Sequence, residues 1–481
     1  MEKNNLKNKF LSGLFWRYAE RCAAQGVTFI VGVVLARILT PDDYGLSSLS
    51  GIFIGIISII ADLGLTQALI QKQNVDELDY NSVYYANLAM AFVVYAIIFF
   101  TAPLAAGFYR DDRITALIRV SSLTLPICSI FAMQSTIITK RMEFKKYFWA
   151  TITGTIISSF VGIAMALNGL GVWAIVGQSM SNTIIDRLFL TAVVRWKPKL
   201  MFSFKRVKPL FKFGWKLLLS RALDQIYNNI YSLIIGRVYS TADLAYYNRG
   251  KQYPMYVINN INESILSVMF PAISSIQDDK AKVKAAIRRS IVTSTFLIFP
   301  MMMGLGVIAK PLVHIMITDK WLPAVPFIQF CCFTYAFWPI HTANLQAITA
   351  LGRSDIFLKL EVIKKVMGIS VLVLTLPHGL MIMMWARCAT TLVSSFLNAS
   401  PNKKLFGYSY FEQLKDIMPS AILSIVMGIV VWSISLLQIN VIVQIIAQVI
   451  IGAAVYFGLA KLFKLECLEY VVNTVKGLRK R

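Results

Sequence analysis

Charged side chains occur inside two long apolar stretches and fall on one face of each predicted helix. In the first stretch, Arg17, Glu20 and Arg21 stand at positions i, i+3 and i+4. In a later stretch, Arg221 and Asp224 stand at i and i+3. An arginine can donate two parallel hydrogen bonds to a phosphate and stays charged at any working pH. These faces therefore predict a hydrated cavity that binds an anionic headgroup.

Depth in the bilayer separates a functional role for these charges from a merely structural one. A charge at the bilayer centre costs about 2.5–3.5 kcal/mol by insertion scales, so such residues usually face a cavity. Arg17 and Lys216 are close enough to a helix end for their side chains to snorkel to the inner surface. Snorkelling does not account for Arg21 and Asp62, which lie deeper, so we favour the cavity.

Four carboxylates share the predicted membrane spans with these cations: Glu20, Asp62, Asp224 and Glu263. Each is a candidate to bind a coupling cation, either H⁺ in a proton relay or Na⁺ by ligation. Structural pairing with a neighbouring arginine explains each of them equally well. Their role stays open at this stage.

Patterns of catalysis or of a metal centre are scarce. The sequence contains three histidines and six cysteines, and no HExxH, GxSxG, Walker A, DxD or CxxC pattern. Asp42 and Asp43 follow Thr40 and Pro41, which is the pattern of a helix N-terminus. We interpret this acidic pair as a capping sequence. We therefore expect no enzyme, no bound metal and no cofactor, and the sequence leaves open whether transport is coupled to H⁺ or Na⁺.

The composition indicates which elements hold these residues. Of the 481 residues, 57% are hydrophobic and 15% are charged, and the mean hydropathy is +0.63. Soluble domains are about 45–50% apolar and about 25% charged. These values exclude a soluble enzyme, a disordered chain and a secreted disulfide scaffold. They predict an all-α polytopic membrane protein.

Fourteen apolar stretches are long enough to span a bilayer, which takes about 20 residues per helix. They lie near residues 12–36, 46–70, 82–108, 115–138, 147–167, 171–194, 212–238, 251–276, 286–309, 322–350, 356–376, 379–398, 415–437 and 440–462.

The loops between these stretches alternate between cation-rich and cation-poor. The 48 lysines and arginines exceed the 24 acids by 24, an excess that in a soluble protein would indicate a nucleic-acid partner. Here the cations collect in alternate loops, and cytoplasmic loops are the cationic ones. The pattern predicts that both termini are cytoplasmic, and no nucleic-acid partner is expected.

A nine-residue motif occurs twice, 200 residues apart: LARILTPDD at residues 35–43 and IGRVYSTAD at 235–243. It predicts two parallel six-helix lobes, 1–199 and 200–400, around a central cavity. Residues 401–481 would add two further helices and a basic cytoplasmic tail. Two basic segments, 201–213 and 465–481, are interpreted either as helices on the inner leaflet or as a linker and a solvated tail.

The segments VLARILTPDDYGLSSL (34–49), ADLGLTQALIQ (61–71) and GRVYSTADLAYYNRGKQYP (236–254) resemble the polysaccharide transporters of the Wzx flippase type. That family shares a superfamily with the multidrug and toxic compound extruders and the lipid II flippases. The resemblance covers essentially the whole chain. The branch that looks most similar contains the exporters of the colanic and teichuronic acid type.

The resemblance implies a transporter that flips undecaprenyl-diphosphate-linked oligosaccharide to the outer leaflet by alternating access, for surface polysaccharide (lipopolysaccharide, O-antigen, capsule or exopolysaccharide). The diphosphate would bind at the positions that match the family's basic residues, Arg17, Arg21, Lys216 and Arg221. Position 216 is a lysine, which offers a phosphate a point charge and not the bidentate fork of an arginine. The implied location is the inner or plasma membrane of a bacterium. The implied partners are membrane lipids, the lipid-linked oligosaccharide, a polysaccharide polymerase and glycosyltransferases.

Two other functions remain as alternatives. An efflux antiporter for cationic drugs would have the same fold, but carboxylates and aromatic residues would dominate its cavity. The basic faces of the two helices argue against this function. A membrane glycosyltransferase or polymerase would need a large outer loop, and no predicted outer loop exceeds about a dozen residues, within the usual range of loop lengths.

Overall fold

The computed structural model describes residues 2–62, 64–437 and 439–469, and every regular element in those ranges is a helix. The all-α prediction is therefore confirmed. Nine helical stretches of the described chain are long and apolar enough to cross a membrane.

The helices differ widely in length, from five residues to 38. In chain order they are α1 (Glu2–Ile38), α2 (Pro41–Asp62), α3 (Leu65–Gln71), α4 (Glu77–Tyr109), α5 (Arg113–Ser122), α6 (Thr124–Ile130), α7 (Ala132–Arg141), α8 (Phe144–Leu167), α9 (Val172–Val194), α10 (Phe204–Val238), α11 (Thr241–Ser274), α12 (Lys280–Ile317), α13 (Val325–Ala336), α14 (Trp338–Ala350), α15 (Ser354–Thr375), α16 (Leu380–Ala399), α17 (Asn402–Phe406), α18 (Tyr410–Ile434) and α19 (Val441–Leu462). Short 3₁₀ helices occupy Asp319–Ala324 and Leu376–His378.

The nine apolar stretches coincide with the first, third, fourth, fifth, ninth, tenth and twelfth to fourteenth predicted spans. Helices also cover the other five predicted spans, namely α2, α9, α10, α11 and α15, each of which has at least 22 residues. These five helices are not among the nine stretches that are both long enough and apolar enough to cross a membrane. The count of fourteen membrane helices therefore stays a prediction.

Several predicted helices are broken where the sequence contains a proline or a glycine. The second ends at Asp62, and the chain passes Gly64 in the left-handed region (φ 70°) before α3. The fourth is split into α5, α6 and α7, and the middle piece contains Pro126. The tenth breaks between α13 and α14 just before Pro339. Segment 201–213 differs, because from Phe204 onward it is the first part of the single helix α10.

The helices pack into two compact units, Met1–Ala245 and Tyr246–Arg481. In the first unit, α8 and α9 form a closely packed pair, and α1 packs on α8. α10 packs on α2, α3 and α4 of the same unit. A core of Leu65, Leu69, Val83, Met133 and Val207 lies where α3, α4, α7 and α10 meet. The division into 1–199, 200–400 and 401–481 stays a prediction.

In the second unit, the long helix α12 packs against α13, α14, α18 and α19. One core cluster joins α11, α12, α14 and α18 and includes Ile273, Ile287, Ala347 and Ile417. Another joins α12, α18 and α19 around Phe296 and Tyr456. α15 pairs with α16.

The repeated motif forms the same helix cap in both copies. Thr40 Oγ1 donates to Asp43 Oδ2 at 2.7 Å, and Asp43 N donates back to Thr40 Oγ1 at 3.3 Å. Ser240 and Asp243 repeat the arrangement at 2.7 Å and 3.0 Å. The interpretation as a capping sequence is confirmed for Thr40 and Asp43, and Ser240 with Asp243 forms the same cap in the second copy.

Candidate functional site

The predicted basic face of α1 is part of a packed cluster with α8. Arg17 Nη1 donates to Glu20 Oε2 at 2.9 Å, one helical turn along. The guanidinium also lies 4.8 Å from the ring centroid of Tyr147 and 5.1 Å from that of Phe144, both on α8. The Glu20 side chain is only 12% exposed. Arg17 and Glu20 thus come together as an ion pair held by aromatic rings.

The cluster continues onto α9, where the sequence interpretation had not placed a functional residue. Asp186 and Arg187 lie inside α9, with a distance of 3.8 Å between Arg187 Nε and Asp186 Oδ2. Arg187 Nη1 also donates to Ser135 Oγ of α7. Asp186 lies within electrostatic reach of Glu20. The signal that could have found this pair is two adjacent charges in the interior of an otherwise apolar span.

Two carbonyl-type oxygens in this cluster accept no hydrogen bond from any described residue. They are Asn182 Oδ1 and Asp186 Oδ1, one turn apart on α9, and both atoms are buried. Gly154 of α8 allows the close approach, because a Cβ there would lie 3.0 Å from Asn182 Oδ1. The first unit therefore contains a partly buried polar cluster on α1, α8 and α9.

The other predicted site residues lie apart from this cluster. Arg21 is exposed on α1, and Arg221 and Asp224 are exposed on α10. Glu263 is exposed on α11 in the second unit. The side chains of Lys216 and Asp62 lie outside the described part of the chain.

The helices that carry the basic faces have different neighbours. α1 packs chiefly on α8, and α10 packs on α2, α3 and α4. Within the described ranges, α1 and α10 are not an extensively packed pair. The structure therefore joins Arg17 to Glu20, while Arg21 and Arg221 stand exposed on two separate helices.

Charges also cluster where α2 and α5 begin. Arg113 Nη2 contacts Asp111 Oδ2 at 2.6 Å and Asp42 Oδ2 at 3.0 Å. The hydrogen bond from Arg113 holds the pKa of the Asp111 carboxyl below its usual value. Asp42 also accepts a hydrogen bond from Thr241 Oγ1. Asp42, the non-capping acid of the motif, thus binds α5 and the start of α11.

A second charged cluster holds the first turn of α10. Asp79 is fully buried and contacts Lys72 Nζ at 2.6 Å and Arg206 Nη1 at 3.7 Å. Arg206 Nη2 also contacts Asp76 Oδ2 at 3.0 Å. The Asp79 amide donates to the Asp76 carboxylate and so lowers the pKa of Asp76. The first turn of α10 is therefore fixed to the start of α4.

The second unit contains a large apolar cavity of about 1000 Å³. Its walls come from α12, α13, α18 and α19, and Lys310 and His314 stand at one end. Among the described residues, no group of three His, Cys, Asp or Glu side chains is arranged to hold a metal ion.

Comparison with known proteins shows what this chain is similar to. A family model described as "Polysaccharide biosynthesis protein" matches residues 34–326, more than half of the chain. The succinoglycan biosynthesis transport protein ExoT of Rhizobium meliloti (strain 1021) is 22% identical over 472 residues, which are 97% of this chain and 95% of that protein. The lipopolysaccharide biosynthesis protein WzxC of Escherichia coli (strain K12) is 23% identical over 444 residues, 89% of each chain.

Among solved structures, the lipid II flippase MurJ in its inward closed conformation superposes with a TM-score of 0.71 at 14% identity. The superposition covers 94% of this chain and 98% of MurJ. At that identity the likeness shows the fold, which agrees with the all-α membrane architecture predicted from the sequence. The family match and the relatives confirm the resemblance drawn from the motifs.

Proposed function

The chain belongs to the polysaccharide biosynthesis protein family, and on that premise we propose that it flips a diphosphate-linked lipid oligosaccharide across the membrane for surface polysaccharide synthesis. The relatives are named for polysaccharide biosynthesis and its transport, and the structural neighbour is a lipid II flippase. The carrier that we propose is undecaprenyl diphosphate, and the direction is from the cytoplasmic to the outer leaflet.

The observation that carries this proposal is the exposure of Arg21 and Arg221 on two helices of a membrane fold. An arginine at bilayer depth costs about 2.5–3.5 kcal/mol, so such residues usually face the interior of the helix bundle or a water-filled cavity. A diphosphate supplies paired oxygens that match the two parallel donors of a guanidinium. Arg17 contributes less, because its salt bridge to Glu20 already neutralises part of its charge. Lys216 would add a point charge.

Transport then follows alternating access between two lobes. The diphosphate binds from the cytoplasmic side, the polyprenyl chain stays in the lipid, and rearrangement of the lobes exposes the glycan on the outer side. We propose that both termini are cytoplasmic, since the cation-rich loops would then all be inside. The process forms no covalent bond, so the chain acts as a transporter and not as an enzyme.

The driving force in this proposal is an ion gradient. Glu20, Asp62, Asp224 and Glu263 remain the carboxylates proposed to take H⁺ or Na⁺. Asp186 joins them, because it lies beside Glu20 and has an oxygen that accepts no hydrogen bond from a described residue. A cation that binds there would compete with Arg17 and Arg187 for the same two carboxylates. Ion binding would thereby alter the ion pairs of α1 and α9.

The location proposed is the plasma membrane of a bacterium, where the substrate is assembled by glycosyltransferases and consumed by a polymerase. The test is to deplete the protein in cells and to quantify the lipid-linked oligosaccharides on each leaflet. We expect completed oligosaccharide to accumulate on the cytoplasmic side and surface polymer to fall. Unpolymerised glycan reaching the outer face instead would indicate an enzyme, and unchanged lipid pools would contradict the proposal.

A further inference from the structure

The linker between α9 and α10, together with the first two turns of α10, forms a surface that is both cationic and apolar. We call residues 195–211 the linker surface; they include six lysines and arginines and no acidic residue. On α10, Phe204, Lys208 and Phe211 stand at positions i, i+4 and i+7, so they share one face of the helix, and all three are exposed. Trp215, one turn further on, is exposed as well.

The other side of the linker surface is held on the first unit. Val207 is buried in the core that α10 forms with α3, α4 and α7. The Lys199 amide donates to Asn81 Oδ1 at 2.6 Å, and the Ser203 amide donates to Ser82 Oγ at 2.9 Å. Both acceptors belong to fully buried residues of α4. The backbone of the linker surface is therefore fixed, and its exposed side chains point away from the first unit.

The acidic residues at the start of α4 pair with only two cations of the linker surface. Arg206 contacts Asp76 at 3.0 Å, and Lys199 contacts Glu77 at 3.5 Å. The other four cations are exposed and form no ion pair with a described residue: Arg195, Lys197, Lys205 and Lys208. The linker surface therefore carries a local excess of positive charge that an external anion can neutralise.

Large apolar side chains lie among these cations. Leu200 is 97% exposed, and Phe202 and Phe204 are 53% and 68% exposed. Aromatic rings and lysines with apolar stems together are typical of a helix at the membrane interface, and α10 leads from here into the predicted span 212–238. A soluble anion would neutralise the cations and leave the apolar side chains in water. A lipid with an anionic headgroup matches both.

We propose that the linker surface binds anionic phospholipids of the cytoplasmic leaflet. The four unpaired cations contact the headgroup phosphates, and Leu200, Phe202 and Phe204 contact the acyl chains. Basic segments next to a membrane helix are attracted to the anionic lipids of that leaflet. The proposal rests on the membrane orientation given in the proposed function, but not on the substrate. Because α10 also carries Arg221, the bound lipids would hold a proposed substrate-binding helix at its cytoplasmic end.

The experiment is native mass spectrometry of the purified full chain in detergent, titrated with phosphatidylglycerol or with phosphatidylcholine of the same acyl chains. We expect phosphatidylglycerol to bind about tenfold more tightly than phosphatidylcholine, which has no net charge. A quadruple variant that neutralises the unpaired cations should weaken phosphatidylglycerol binding about tenfold: Arg195→Gln/Lys197→Gln/Lys205→Gln/Lys208→Gln. The matched control removes four charges from exposed lysines elsewhere and should leave the affinity nearly unchanged: Lys280→Gln/Lys282→Gln/Lys403→Gln/Lys404→Gln.

A fluorescent label tests the apolar part of the linker surface without altering any cation. Bimane is attached at Phe204→Cys in a chain whose six native cysteines are replaced by alanine, and the protein is reconstituted in vesicles that contain phosphatidylglycerol. We expect a nitroxide-labelled lipid to quench this bimane more strongly than aqueous iodide does. A label at Asp112→Cys, in an exposed loop, is the control and should show the reverse order.

The proposal is overturned if phosphatidylglycerol binds no better than phosphatidylcholine, if the two quadruple variants bind it equally well, or if iodide is the stronger quencher at residue 204. Binding of polyglutamate in place of the lipid would also overturn it and would indicate an acidic protein partner. Neither measurement uses the transported glycolipid. A failure here would therefore leave the cell-depletion result untouched.

Discussion

Thr241, in the second copy of the repeated motif, meets Gly45, two residues after the first copy, at backbone distance. A Cβ built on Gly45 would lie 1.9 Å from the carbonyl oxygen of Thr241 and 2.9 Å from the Cα of Thr241. Beside this contact, Thr241 donates its hydroxyl hydrogen to Asp42. The first turn of α2 and the first residue of α11 thus pack backbone to backbone, and only glycine leaves room for this approach.

We expect Gly45→Ala to push the backbones of α2 and α11 apart at this contact. A methyl group cannot be accommodated against a backbone carbonyl at that distance, and overpacking of this kind costs about 1–3 kcal/mol. The measurement is the thermal unfolding midpoint of the purified protein, together with surface polymer in cells. Gly51→Ala is the matched control on the same helix, since a Cβ at Gly51 meets nothing within 4 Å. Equal midpoints for the two variants would contradict the account of the contact.

The buried carboxylate of Asp79 should contribute more stability than its exposed neighbour Glu77. Asp79→Asn removes the charge that faces Lys72 at 2.6 Å, and charge-assisted hydrogen bonds contribute about 1.5–3 kcal/mol. Glu77→Gln removes a pair with Lys199 whose side chains are 52% and 62% exposed, and such pairs contribute less than about 1 kcal/mol. Thermal unfolding of both variants decides the comparison. A larger loss for Glu77→Gln would show that Asp79 is not the main anchor of the first turn of α10 on α4.

The Glu20 and Asp186 carboxylates should govern ion dependence if the first unit binds the coupling cation. We expect Glu20→Gln and Asp186→Asn each to flatten the dependence of translocation on an imposed H⁺ or Na⁺ gradient, because each removes an anionic oxygen donor. The measurement is the initial rate in proteoliposomes with and without the gradient. Asp112→Asn, an exposed loop carboxylate, is the control. Unchanged gradient dependence in both variants would place coupling elsewhere.

Helices and their caps could be predicted from the sequence because the signals are local. A run of about 20 apolar residues indicates a membrane helix. The spacing of Thr40 and Asp43 indicates where a helix starts. Both signals lie within one continuous segment of the sequence. Proline is a local signal for a break as well, since Pro339 is the second residue of α14, directly after the break that follows α13. The division of the fourth predicted helix into three was not predicted, because packing decides whether a proline kinks a helix or ends it.

The contacts of the candidate site depend on the tertiary structure. The pairing of Arg17 with Glu20 follows from their spacing on one helix, but the aromatic rings that hold Arg17 belong to α8. Asp186 joins its cluster through α1, more than 100 residues away in sequence. A single sequence marks such residues as charges inside spans. It does not say which of them meet.

The central claim is that exposed arginines on α1 and α10 bind the diphosphate of a lipid-linked oligosaccharide during flipping. The most direct measurement is translocation of a diphosphate-linked lipid oligosaccharide in proteoliposomes, with the purified chain as the only protein. We predict that the unaltered protein moves the lipid and that Arg21→Gln/Arg221→Gln slows it at least tenfold, while Lys359→Gln, which neutralises an exposed cation of α15, does not. Translocation at the full rate by the double variant, or none by the unaltered protein, would contradict the account.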